Sequence, residues 1–199
     1  MKGEMKDFNE GLEDLQLRIS KGDQRAFETV YLRYYRKLVV FSKNFLKSRE
    51  HAEEVVEDVF VKLWSKREEI IYIQNLNVYL YSATKNKSLN ALSSNAARFV
   101  TEALDIADHD SVAEGSTPHD LLVTSEVMQS VQRAMDLLPE RCRIIFQLAR
   151  EDGLKYKEIA QILNISVNTI DAQMAIAVKR LCASLGVEKH RKAPVVQAK

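Results

Sequence analysis

Little punctuates the 199-residue chain: its six glycines and three prolines are thinly spread, and long stretches contain neither. A many-stranded fold needs turn signals at close intervals, so this shortage favours long helices. Cysteine is equally scarce. Cys142 and Cys182 stand forty residues apart with no CxxC or Cys/His spacing around them, which argues for a reducing compartment and against a disulfide scaffold or a structural zinc. No run approaches the roughly 18 apolar residues of a membrane span. The opening "MKGEMKDFNEGLEDL" lacks the apolar stretch of a secretory signal. These absences describe a soluble, cytoplasmic, all-α protein. Its 46% hydrophobic content suffices for one ordinary core or two small ones.

Charge of one sign is missing locally, although the net charge is only +1. Residues 1–100 hold 17 Lys/Arg against 14 Asp/Glu, residues 101–127 none against 7, and residues 128–199 hold 12 against 7. Two mildly basic blocks thus flank a purely acidic one. From Ile70 to Val100 the asymmetry inverts: no acid occurs, while Lys85, Lys87 and Arg98 do. A chain that touches nucleic acid in two places shows this kind of partition. The acidic stretch "TEALDIADHDSVAEGSTPHD" has little helical periodicity and clusters Gly115-Ser116-Thr117-Pro118, so it reads as a flexible linker. His109 and His119 each lie beside an Asp, but the segment reads as solvated tether rather than as a metal site.

Beyond the linker, "LLPERCRIIFQLAREDGLKYKEIAQILNISVNTIDAQMAIAVKRL" divides into three helices. Pro139 suits the first position of the opening helix, whose apolar face is Ile144, Ile145, Leu148 and Ala149, and Asp152-Gly153 ends it. The second helix, from about Lys155, buries Ile159, Ala160, Ile162 and Leu163, and the small Ala160 permits a close crossing. Asn164 takes the left-handed turn, which Asn tolerates well. Ser166 caps the third helix, whose stripe is Val167, Ile170, Met174 and Val178. Helix, turn and recognition helix make a helix-turn-helix. Its oddity is Asp171, an acid in the helix that would enter a groove lined by phosphates.

Before the linker, "KGDQRAFETVYLRYYRKLVVFSKNFL" is a turn and a long amphipathic helix burying Phe27, Val30, Tyr31, Tyr34, Leu38 and Phe41. "REHAEEVVEDVFVKLW" carries an uninterrupted apolar stripe, Ala52, Val55, Val56, Val59, Phe60 and Leu63, opposite Glu53, Glu54, Glu57, Asp58 and Lys62. "NLNVYLYSATKNKSLNALSSNAARF" combines tyrosines, amides, hydroxyls and bases without acids, as expected where unstacked bases meet stacking surfaces and phosphate neutralisers.

Taken in order, these segments resemble the extracytoplasmic-function sigma factors, the two-domain group of the sigma-70 family. "KGDQRAF" resembles the start of region 2, "AEEVVEDVFVKLW" the region 2.2 helix, and "VYLYSATKNKSLNAL" the segment that follows. "LPERCRIIFQLAREDGLKYKEIAQILNISVNTID" resembles region 4. The tyrosine-rich region 2 and the acid after "SVNTI" are similar to the factors common in Bacteroidetes. The resemblance implies two small helical domains: region 2 over 9–98, an acidic linker over 99–120, region 4 over 121–186 and a basic tail over 187–199.

It also implies partners and sites: core RNA polymerase, through its β′ clamp and β flap, promoter DNA, and an anti-sigma factor of the kind often anchored in a membrane. No catalytic residue, cofactor, metal or small-molecule substrate is implied. Glu53, Glu54, Glu57 and Asp58 correspond to the face that docks on the clamp, with Val61 and Lys62 at its edge. Asn86 and Asn90 correspond to the pocket for a base flipped from the −10 element, where an amide can both donate and accept. Tyr79 stands where the family usually has Trp, and Lys85, Lys87 and Arg98 would neutralise phosphates. In region 4, Ser166, Asn168, Thr169, Asp171, Ala172 and Gln173 are the −35 candidates, with Arg150, Lys155, Lys157, Lys179 and Arg180 on phosphates. Relatives often have Arg or Lys at the positions of Asp171 and Gln173. A weak reader suffices when the polymerase holds it at high effective concentration, and an acid can accept from the amino group of cytosine.

One rival is a stand-alone helix-turn-helix regulator with an N-terminal dimerisation or sensing domain. It leaves the acid-free aromatic segment and the Glu-rich helix unexplained. An enzyme fits worst, since no Ser/His/Asp set or phosphate loop is present and none of the four His stands beside a plausible partner in a periodic element.

Overall fold

In the computed structural model, the residues described are 11–99, 130–131 and 133–185, without the side chains of 94–99. All the regular structure among them is helical. Helix α1 spans Leu12–Ser20, α2 Gln24–Leu46, α3 Arg49–Ser65, and a 3-10 segment Arg67–Tyr72 leads to α4, Leu76–Phe99. Residues 130–136 include a short helical stretch, followed by α5, Glu140–Arg150, α6, Tyr156–Leu163, and α7, Val167–Ser184. The expected linker beyond Phe99 and the basic tail lie outside the described residues.

Local chemistry sets most boundaries. Gly22 takes φ +87° to turn the chain out of α1. Asp23 then caps α2, accepting from the N–H groups of Arg25 (2.9 Å) and Ala26 (3.2 Å). Arg18 donates to the same carboxylate at 2.9 Å and, with those backbone bonds, holds it below the usual carboxylate range. Helix α2 stops where Lys47 enters the left-handed region at φ 56°, and Ser48 caps α3 by accepting from the His51 N–H at 3.2 Å. Asn75 starts α4 in the same way, its side-chain oxygen accepting from Val78 N–H at 3.1 Å.

Helices α2, α3 and α4 enclose an aromatic-rich core. Phe27 packs on Trp64 at 4.9 Å and edge-on to Phe60 at 6.1 Å, and Phe41 meets Tyr81 at 5.2 Å. Val30, Leu38, Val56, Leu63 and Leu80 fill the space between, each side chain contributing roughly 1.5–3 kcal/mol on burial. All six apolar residues expected inside from α3 are buried, and those from α2 are buried or half-buried. A polar seam joins Ser42 and Ser88, whose hydroxyls share a 2.8 Å hydrogen bond at full burial.

Helix α1 falls outside the segments read as helical in the sequence. Leu12, Leu15 and Ile19 form its inward face. Gln16, almost fully buried, donates through Nε2 to the carbonyls of Ile70 (2.8 Å) and Ile73 (2.9 Å), pinning the 3-10 segment to α1.

The second unit matches expectation closely. Asn164 is left-handed at φ 54°, and Ser166 caps α7 by accepting from Thr169 N–H at 3.1 Å. Two details differ. Pro139 is the cap of α5 rather than its first helical residue, with ψ 139°. The buried stripe of α7 runs Ile170, Met174, Ala177, Leu181, leaving Val178 half-buried. The reason is α5: Cys142 and the preceding Ala134, Met135 and Leu138 meet Ala177 and Leu181, so the small Ala faces the closest approach.

The two units pack on each other. Ile145, Leu148, Ile159, Ile162 and Ile170 join the same continuous apolar cluster as the α1–α4 core. Polar ties cross the seam: Asn44 Nδ2 donates to Gln147 Oε1 (3.2 Å), Asn75 Nδ2 to Glu158 Oε1 (2.7 Å), and Lys85 Nζ to the carbonyl of Ile162 (2.6 Å).

Candidate nucleic-acid and partner surfaces

Three surfaces carry the residues singled out by sequence. The first is the outer side of α3. Its apolar stripe is spent on the core, so the 3.6-residue period leaves Glu54, Glu57, Asp58, Val61 and Lys62 in solvent, with Val61 64% exposed. Glu53 is half-buried and accepts from Arg49 Nε at 2.9 Å. Behind this face Tyr31 and Tyr35 stack at 4.8 Å, and the Tyr35 hydroxyl points at Glu57 from 3.5 Å. Burial, then the neighbouring Tyr31 and carboxylates, pushes the Tyr35 phenol up to about 12, so it stays a neutral donor beside the acids.

The second surface is a cleft of about 660 Å³ between α3, α4 and the 3-10 exit. Tyr79, Asn86, Lys87 and Asn90 line it together, as does Lys62 from the edge of the acidic face. Asn86 and Asn90 sit one turn apart on α4 with their side chains exposed. Lys87 is ion-paired with Asp58 of α3, so the cleft and the acidic face share an element. Lys85 is not on this cleft wall. It turns to the opposite flank of α4 and binds the Ile162 carbonyl. The side chain of Arg98 lies outside those described.

Sequence reading missed several lining residues: Ile73, Gln74, Asn75, Val78 and Ser82 from region 2, and Gln161 from α6. The polar run "IQN" ahead of the acid-free segment was the available signal for the first three. It also missed Tyr72, an aromatic left 78% exposed beside a smaller hollow shared with Tyr79.

The third surface is the open face of α7. Asn168, Asp171, Ala172, Lys179 and Arg180 are exposed there, while the opposite stripe is buried. Ser166 is exposed too, and its hydroxyl pairs with that of Thr169 at 2.8 Å. Capping at this helix start is done by Ser166. Asp171 makes no hydrogen bond or ion pair among the described residues, so its carboxylate points freely outward. Gln173 stands apart: it is half-buried and accepts from the Cys142 thiol at 2.9 Å, toward α5 rather than outward. Arg150, Lys155, Lys157, Lys179 and Arg180 are exposed and available to phosphates. Lys155 also caps α6 through its N–H, which Glu158 Oε2 accepts at 2.8 Å.

Comparison with known proteins follows this geometry. The family model Sigma-70 region 2 matches residues 30–98, and Sigma-70, region 4 matches residues 128–181. The ECF RNA polymerase sigma-E factor of Escherichia coli (strain K12) is 28% identical over 163 residues, covering 79% of this chain and 85% of the relative. The ECF RNA polymerase sigma factor SigW of Bacillus subtilis (strain 168) is 24% identical over 163 residues, 78% of this chain and 87% of the relative. Among solved structures, the sigma factor RpoE of Bartonella quintana, crystallised with the anti-sigma factor NepR, matches with a TM-score of 0.59 at 21% identity, covering 82% of this chain and 98% of that one. CnrH, solved in complex with the cytosolic domain of CnrY, matches with a TM-score of 0.54 at 19% identity, covering 88% and 97%. At those identities the structures speak to fold alone, and the fold they share is this pair of helical units.

Proposed function

The chain belongs to the sigma-70 family, in its extracytoplasmic-function group, and from that premise we propose how its surfaces divide the work of starting transcription. It is an alternative sigma factor: it binds core RNA polymerase and directs initiation at promoters through −10 and −35 elements. The observation that carries this is the match of both region models in order, each falling on one helical unit. A stand-alone regulator would need only the second.

Region 2, taken over 9–98, docks on the β′ clamp through Glu54, Glu57 and Asp58, with Glu53, Val61 and Lys62 around them. Carboxylates held on one helix face make directional contacts to a basic partner, and the buried stripe behind keeps them in register. Asn86 and Asn90 read a flipped −10 base in the cleft, where each amide offers one donor pair and one acceptor to a Watson–Crick edge. Tyr79 and the exposed Tyr72 provide aromatic faces for unpaired bases, and Lys87 and Arg98 neutralise the melted strand.

Region 4, over 121–186, meets the β flap and the −35 duplex. Asn168, Asp171 and Ala172 form the outward first turns of α7, Ser166 and Thr169 hold the helix start near phosphate, and Lys155, Lys179 and Arg180 contact the backbone. Gln173 supports α7 from behind. Residues 99–120 act as the linker and 187–199 as the basic tail. The polymerase supplies all the chemistry, so no catalytic role falls to this chain, and its place of action is the cytoplasm. No helix among the described residues is long and apolar enough to cross a membrane. An anti-sigma factor, in the manner of the NepR bound to RpoE, is its expected regulator.

The test is run-off transcription from a genomic promoter library with reconstituted holoenzyme. Specific start sites that depend on the added chain are the expected result. A chain that neither co-purifies with core polymerase nor redirects it would return the regulator reading to the front.

A further inference from the structure

We propose that α7 recognises promoter duplex through thymine methyl groups. Ala172, Ala175 and Ile176 form an apolar strip against C5-methyls of the −35 element, and the Asp171 carboxylate beside them accepts from a cytosine amino group. This rests on the sigma-factor reading above and deepens it by naming the base chemistry that the second unit reads.

Helical spacing defines the strip. With Ile170, Met174, Ala177 and Leu181 turned into the core, the exposed positions between Val167 and Ile176 are Asn168, Asp171, Ala172, Ala175 and Ile176. They recur at i, i+3, i+4, i+7 and i+8 and so share one face. From Asn168 to Ile176 the helix rises about 12 Å at ~1.5 Å per residue. That matches the ~12 Å width of a major groove and roughly three to four base steps at ~3.4 Å each.

The chemistry of this face is unusual for what it omits. No Lys or Arg stands on it before Lys179. Guanine is read in the major groove chiefly by Arg or Lys on its O6 and N7, so that mode is missing from these turns. Gln173, which could read adenine, is withdrawn, since it accepts from the Cys142 thiol at 2.9 Å toward α5. Two polar groups and three apolar side chains remain.

A lone exposed apolar side chain is ordinary on a protein surface, and Ile176 by itself, 41% exposed, would carry no meaning. Here it closes a run with two alanines on the helix that the reading above sets against duplex DNA. Ala172 and Ala175 end at Cβ, so no long side chain holds the helix away from the base edges. The thymine C5-methyl is the apolar group that bases present in this groove. It is what such a strip can bury without stranding a donor or acceptor, whereas a polar base edge opposite Ala175 or Ile176 would lose water and gain no partner. Asp171 adds selection: a carboxylate accepts from cytosine N4 and is repelled by guanine O6 and N7, both acceptors.

The experiment starts with reconstituted holoenzyme, full chain and core polymerase, selecting from promoter duplexes randomised over the −35 element. Each thymine of the recovered element is then replaced in turn by uracil, which removes the methyl and keeps every hydrogen-bonding group. Uracil should weaken holoenzyme binding about fourfold at each methyl the strip covers, the worth of one buried methyl. This arm alters the DNA and not the protein, so no folding defect can imitate it. In Ile176→Ala the uracil effect should vanish at one thymine and persist at others. Indifference to uracil at every thymine overturns the strip, as does an effect that Ile176→Ala leaves unchanged at all positions. Loss of core polymerase by Ile176→Ala, seen in a pull-down, would make Ile176 a polymerase contact and overturn its place here. A holoenzyme that initiates nowhere counts instead against the sigma-factor reading. The strip is then judged with the full chain alone in the same selection on random duplex. A recovered site whose thymines are sensitive to uracil supports it; no preferred sequence, or one indifferent to uracil, overturns it.

Discussion

Region 2 and region 4 solve the same problem, positioning a helix for DNA, with unequal resources. Region 2 packs α4 against α2 and α3 and fills the interior with Phe27, Phe41, Phe60, Tyr81 and Trp64, so Asn86 and Asn90 project from a well-supported helix. Region 4 is the slighter unit, and several of its buried residues, Ile145, Leu148 and Ile159 among them, lie in the cluster shared with region 2. Its reading helix carries an acid in place of a base. The contrast fits the division proposed above, in which the well-packed unit handles strand opening, where single atoms must be placed, and the slighter unit is held near duplex DNA by the polymerase.

The comparison breaks most visibly at the polymerase. Glu57→Lys combined with Asp58→Lys should abolish holoenzyme formation in a pull-down, a loss on the order of 100-fold or more. The melting temperature should barely move, since both residues are exposed and surface pairs contribute little. Normal co-purification would remove the acidic face from the account.

Next in size is the borrowed core. Ile159→Ala should cost about 2–5 kcal/mol, as buried Ile truncations do, and it should appear in thermal unfolding as early loss of region 4. The equivalent change at Leu38, buried wholly inside region 2, should lower the main transition instead. Identical unfolding profiles for the two variants would mean that the units melt as one body.

Sharper still is the division between opening and recognition. Asn86→Ala should leave closed-complex binding near normal while suppressing permanganate reactivity of the −10 thymines. Asp171→Ala should do the reverse, shifting the −35 preference by the ~1–3 kcal/mol of one base contact. Because Ser166 already supplies the cap, the Asp171 variant should keep its melting temperature. A stability loss without a change in promoter preference would make Asp171 a structural residue after all.

The smallest effect concerns pH. The Asp152 carboxyl is raised to about 6 from 3.8, so burial disfavours its charged form. The penalty is absent below about pH 4, grows through pH 6 and is constant above. The packing of the two units should therefore weaken as pH rises across that window, by on the order of 1 kcal/mol after solvent screening. Asp152→Asn should flatten the dependence, read as region 4 melting against pH.

Much of this was legible in the sequence because it is local. The cap at Ser166, the left-handed Asn164, and the stripe of α3 all follow from residues within a few positions of one another. The grouping of Tyr79, Asn86, Lys87 and Asn90 came from the residue types of the acid-free segment and from the family resemblance. What escaped depends on distant partners. The direction of Lys85 is set by a carbonyl 77 residues away, the inward turn of Gln173 by Cys142 on another helix, and the exchange of Val178 for Ala177 by the close pass of α5. Helix α1 escaped because nine residues with three inward apolar positions barely rise above chance, and its fixing contacts lie more than fifty residues downstream.

That last element has a practical consequence for anyone dividing the chain. Similarity to region 2 begins at residue 30, yet Gln16 holds the carbonyls of Ile70 and Ile73, and Ile73 forms part of the wall of the cleft that holds Asn86 and Asn90. A fragment trimmed to the matched span would shed α1 and the first turns of α2, expose Leu63 and Ile70 to water, and leave two backbone acceptors to find new partners. Its cleft would then be shaped by an unpinned 3-10 segment. The border drawn by kinship falls some eighteen residues inside the border drawn by packing, since α1 starts at Leu12, and a fragment meant to bind a −10 strand should begin before it.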